Sequence, residues 1–92
     1  MPFDAIHNYY EPLVHEAMLK VLQNGETLDA DALEDVACVA LNQLPARYVR
    51  HTVDMVYYMT RDEREKIEQD VAEAVKNAFT LVKSHRHSRQ EQ

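Results

Sequence analysis

Apolar residues recur at steps of three and four through most of this 92-residue chain, and one glycine, Gly25, interrupts them. That period gathers side chains on one face of an α-helix, whereas a half-buried strand needs alternation by two, which is scarce here. The chain is therefore read as all-α. The first expected helix runs from about Tyr10 to Gln23, with Leu13, Val14, Ala17, Met18, Val21 and Leu22 on one face. Pro12 fits its first turn, where a missing N–H costs little, and Asn24-Gly25 supplies a left-handed stop. The second helix begins between Thr27 and Asp31, where acids suit the positive end of a helix dipole, and Pro45 ends it. Leu33, Val36, Ala37, Ala40, Leu41 and Leu44 make its apolar face.

The stretch from Tyr48 to Met59 is ambiguous, because Val49, Val53, Val56 and the Tyr57-Tyr58 pair suit a short helix or an extended segment. A short helix from about Thr52 is the reading adopted. Thr60 followed by Glu63 has the form of a capping box, and Ile67, Val71, Ala74, Val75, Ala78 and Val82 stripe a final helix of about twenty residues. The expected organisation is one helical domain over 1–84 and a polar flexible tail over 85–92. Three or four helices joined by short connections pack as a small bundle, and the long last helix carries apolar surface that a second copy can use.

At 46% hydrophobic and 28% charged residues, the composition is that of a globular domain too short for two cores. A domain this small buries a modest share of its surface, which makes a homodimer a natural expectation. The single cysteine, Cys38, rules out an intrachain disulfide and a cysteine-based zinc site, and it is expected as a small buried hydrophobe in a reducing cytosol. No apolar run is long enough to span a bilayer, and Asp4 stands where a signal peptide carries bases, so a cytoplasmic protein without membrane contact is expected. A net charge of -6 argues against duplex nucleic acid as a partner. The charge is unevenly distributed: between Val21 and Ala46 there is no Lys or Arg, and then Arg47, Arg50 and His51 arrive together.

Catalysis finds little support. Ser84 and Ser88 lie in or beside the expected tail, Cys38 sits in mid-helix, and no glycine-rich loop is present to cradle phosphates. The carboxylate pairs Glu34-Asp35 and Asp62-Glu63 read as helix-start charges. Neither an enzyme nor a bound cofactor is expected. His7, Glu11 and His15 are spaced by four and would align as metal ligands on one continuous helix, but Pro12 puts the helix start after His7. His85 and His87 amount to a weakly chelating pair, and no metal is assigned.

The segment LNQLPARYVRH is different. Asn42, Pro45, Arg47, Tyr48, Arg50 and His51 bring an amide, a helix stop, guanidinium groups and a phenol within a few residues, and Asp35 lies two turns before Asn42. Arg suits phosphate through its planar fork, Asn and Asp can read a base edge, and Tyr offers a stacking face. The plainer alternative has Asn42 capping its own helix, Tyr48 filling the core and Arg47 paired with an acid such as Asp35.

NYYEPLVHEAM at Asn8 to Met18, followed by DVACVALNQLPARYVRH at Asp35 to His51, resembles the late competence development protein ComFB family through most of the chain. The motif positions are Asp35, Leu41, Asn42, Leu44, Pro45 and Tyr48, with Arg47 in the usual place of a basic residue. Glu34 stands where fuller forms of the motif carry Lys, and Ala46 replaces the second of two prolines. The extra cysteines that hold zinc in some members are missing. The resemblance implies an all-helical homodimer from a family that includes receptors for cyclic di-AMP and cyclic di-GMP. The implied function is a non-catalytic receptor in bacterial signalling, with Asp35, Asn42, Arg47, Tyr48, Arg50 and His51 as ligand contacts and a downstream protein as listener. A helical dimeric adaptor for another protein, in which the motif serves only the fold, is the alternative.

Overall fold

The computed structural model describes residues 3–90, with side chains described as far as position 85. Four helices account for most of it: α1 (Tyr10–Gln23), α2 (Ala30–Gln43), α3 (Thr52–Tyr58) and α4 (Arg61–Gln90). A minimal antiparallel ladder joins β1 (His7–Asn8) to β2 (Tyr48–Val49), with His7 opposite Val49 and Asn8 opposite Tyr48. The all-α expectation holds, with this short ladder as an addition that two-residue strands give no periodicity to reveal.

Local chemistry explains most boundaries. At the end of α1, Asn24 N–H donates to the Lys20 and Val21 carbonyls and Gly25 turns the chain at φ +104°, a region only glycine enters freely. Asp29 starts α2 by accepting the Ala32 N–H on Oδ1 at 2.8 Å. Leu44, which follows α2, is extended at φ -108° and ψ 143°, as a residue before proline must be. Thr60 Oγ1 accepts the Glu63 N–H at 3.1 Å, so one half of the expected capping box forms.

The core lies where α2 crosses α4, with α1 packed against both. Ala32, Val36 and Ala40 are fully buried in a row of i, i+4, i+8 along α2, facing a helix that contributes Ala74 and Ala78 among larger residues. Small side chains on both helices let the axes approach closely. Val14 and Met18 from α1, with Tyr9 and Tyr10 before and at its start, complete the cluster. All six apolar α4 positions named from the sequence are buried, and Phe79 joins them.

Two expectations change. The helix expected to be about twenty residues long is 30 residues, because nothing after Thr60 stops it: there is no proline or glycine, and polar residues sustain the backbone ladder after the apolar stripe ends. The backbone through position 90 thus continues α4 where a tail was expected, while the side chains of His87 and Ser88 and the whole of residues 91 and 92 lie outside the described part. Cys38 is exposed. It sits two residues from both Val36 and Ala40, about 200° around the helix from the buried row. The α4 stripe from Ile67 to Val82 is buried in the chain's own core, while Leu81 on the same helix is exposed. Exposed large apolar side chains lie mainly elsewhere: Tyr48, Val53, Tyr57 and Tyr58, with Phe3 and Ile6 near the amino end. None of the described helices is long and apolar enough to cross a membrane.

Close packing around Ala40 yields a simple contrast. Ala40→Leu overfills the α2–α4 contact and is expected to destabilise the domain by about 1–3 kcal/mol in urea denaturation. Cys38→Ala, on the opposite face, is expected to stay within about 0.5 kcal/mol of the parent. Equal effects at the two positions would contradict this packing.

Candidate functional site

The site is built around a buried amide. Asn8 is the one buried polar residue among those described, 8% exposed, and its Oδ1 accepts two backbone N–H groups: Tyr10 at 3.2 Å and Arg47 at 3.0 Å. The first bond is an Asx-type turn that opens α1. The second reaches across 39 residues to the link after α2. Arg47 is held on its other side as well, because its carbonyl accepts the Tyr9 N–H at 2.7 Å. The ladder then carries Tyr48 and Val49 past Asn8 and His7. His7 Nε2 and Thr52 Oγ1 share a hydrogen bond at 3.1 Å that fixes the start of α3.

With its backbone held in this way, the link turns its side chains outward. Arg47 is exposed and Tyr48 is 66% exposed. Both line a cleft of about 440 Å³ whose other walls are Val49, Asp54, Met55, Tyr58, Met59 and Glu63. Asp54 and Tyr58 are four apart on α3, and Met55 is on the same helix with Met59 just past its end, so this short helix and its exit supply most of one wall. Tyr58 is itself braced by an edge-to-face contact with Tyr57, centroids 5.2 Å apart.

Of the six residues singled out from the sequence, the structure brings Arg47 and Tyr48 together in this cleft. Arg50 and His51 follow them in sequence, exposed and joined by an Arg50 Nε–H bond to His51 Nε2 at 3.2 Å. Asp35 and Asn42 do not line the cleft. They share the outer face of α2 with Cys38, two helical turns apart, and both are exposed. The plainer reading is therefore wrong for Tyr48, which does not fill the core, and for Asn42, whose amide caps nothing. Arg47 forms no ion pair with Asp35.

Asn8, Asp54, Tyr58 and Glu63 escaped sequence reasoning. A signal existed for one of them. An Asn two residues before a helix start is a common turn-former. His7, Glu11 and His15 do not converge, since His7 lies in β1 and the other two on α1; Glu11 and His15 instead border a separate apolar groove between α1 and α2, with Glu34 on its far side. Among the described residues no three His, Cys, Asp or Glu side chains are grouped to hold a metal ion.

The family model described as late competence development protein ComFB matches residues 7–86. The chain belongs to the ComFB family. The match begins at β1 and runs far into α4, so the ComFB domain includes both halves of the Asn8–Arg47 tie as well as the cleft. No curated protein and no solved structure matches the chain.

Asn8→Ala removes the acceptor for two N–H groups, of which the one on Arg47 is partly buried. The substitution is expected to cost about 1–3 kcal/mol of stability. It should also speed amide hydrogen exchange at Arg47 and Tyr10, while α4 amides exchange no faster than the global change explains. Unaltered exchange at Arg47 would refute the tie.

Proposed function

We propose that this ComFB domain is a non-catalytic receptor that binds a cyclic dinucleotide second messenger, cyclic di-GMP or cyclic di-AMP, and relays its presence to a downstream protein. The observation that carries the reading is Tyr48, a phenol 66% exposed beside the Arg47 guanidinium in a cleft, on backbone that buried Asn8 holds in place. A guanidinium takes a phosphate bidentately and an exposed phenol ring takes a base by stacking. A link that is already ordered loses little further freedom on binding.

The ligand has two phosphates and the cleft one Arg, so a homodimer that offers Arg47 twice matches a near two-fold ligand. Arg50 adds positive charge next to the cleft, and His51 stands beside it as the acceptor of its Nε–H bond. Asp35 and Asn42 lie outside the cleft on the outer face of α2, and this reading assigns them no contact with the ligand. A cytoplasmic location goes with this reading. Isothermal calorimetry at low micromolar protein is expected to give saturable heat with a cyclic dinucleotide. Arg47→Ala should weaken that binding by about tenfold or more, with helicity by circular dichroism unchanged. Absence of heat with both ligands, or an Arg47→Ala variant that binds like the parent, overturns the reading.

One observation favours a second reading, the dimeric adaptor. Val53 and Tyr57 on α3 are 78% and 81% exposed, an apolar display of the kind that marks contact with another protein. In that case no cyclic dinucleotide raises the melting temperature, and Val53→Asp abolishes self-association in analytical ultracentrifugation while Arg47→Ala is silent.

A further inference from the structure

The cleft carries a feature that a simple phosphate site would avoid. Two carboxylates, Asp54 from the first turn of α3 and Glu63 from the first turn of α4, line it together with Arg47 and the rings of Tyr48 and Tyr58. Neither carboxylate is engaged in a hydrogen bond or ion pair. The Glu63 backbone N–H donates to Thr60 Oγ1, but the Glu63 side chain does not complete the capping box by returning to Thr60, and Arg47 pairs with neither acid. Two free carboxylates repel an anionic ligand wherever its phosphates approach them. Their useful counterpart is a group rich in donors.

Among purines that group is guanine. Its Watson–Crick edge presents N1–H and N2–H side by side, a pair of donors that one carboxylate accepts with both oxygens. Adenine offers a single exocyclic amine next to the N1 lone pair, which a carboxylate repels. A site with acceptors placed for two donors rejects the analogue that lacks one of them.

Resting on the receptor reading, we infer that Asp54 and Glu63 select guanine over adenine in this cleft, so that the ligand is the guanine-bearing cyclic dinucleotide. Arg47 holds phosphate, Tyr48 and Tyr58 offer ring faces to the base, and the two acids read its donor edge. Asp54 and Glu63 are both exposed, so replacing them leaves the core untouched.

Calorimetry with cyclic di-GMP and cyclic di-AMP on the parent chain and on Asp54→Asn/Glu63→Gln tests this. The parent is expected to bind cyclic di-GMP about tenfold or more tightly than cyclic di-AMP. The double variant should lose that margin by weakened cyclic di-GMP binding, while cyclic di-AMP binding holds or strengthens. The direction is diagnostic, because removing two negative charges by itself tightens both anionic ligands. Equal parent affinities, a preference for cyclic di-AMP, or a double variant that keeps its preference overturns the inference. If cyclic di-AMP binds as tightly as cyclic di-GMP or more so, and Arg47→Ala abolishes that binding, guanine selection falls while the receptor reading stands. If neither ligand binds, both fall.

Discussion

One carbonyl oxygen, Asn8 Oδ1, joins the two ends of this domain's working surface. It receives the N–H of Tyr10 as α1 begins and the N–H of Arg47 as the chain leaves α2. A buried acceptor that satisfies two donors is costly to disturb, since each orphaned N–H would lose its partner away from water. The two-residue ladder and the His7–Thr52 bond extend the same join to β2 and α3. The position of Tyr48, and with it the cleft, follows from this seam rather than from any preference of the LPARYV segment itself.

Beneath the seam, α2 separates two roles by angle. Ala32, Val36 and Ala40 point into the α4 contact, while Asp35, Cys38 and Asn42 face solvent. The ComFB motif positions divide along that line. Leu41 and Leu44 pack on or in the core, and Pro45 ends the helix so that Arg47 can meet Asn8. Asp35, Asn42, Arg47 and Tyr48 stand on the surface. The motif's tyrosine is 66% exposed and so adds little to the core.

The least buried element is α3. None of its residues is buried, and its anchors are the His7–Thr52 bond and the partial packing of Met55 and Val56, with Met59 just after it. Segments with few buried contacts are the ones that move at small free-energy cost. That makes α3 the least anchored wall of the cleft, with Val53 and Tyr57 exposed on it.

The helices, the approximate limits of α1 and α2 and the apolar faces were legible in the chain because each depends on neighbours three or four residues away: Gly25 after α1, Asp29 before α2, Pro45 after it, and the stripe from Ile67 to Val82. Arg47 and Tyr48 were legible as surface chemistry for a similar reason, as charge and ring gathered in a short stretch. The tertiary structure alone decided the rest. It assigned Asn8 a partner 39 residues away, placed Asp54, Tyr58 and Glu63 opposite Arg47, turned Asp35 and Asn42 onto another face, and put Cys38 in solvent. Periodicity records which face of a helix is apolar, but the mutual rotation of α2, α3 and α4 is set by side-chain packing between them. That rotation determines which exposed groups share a cleft.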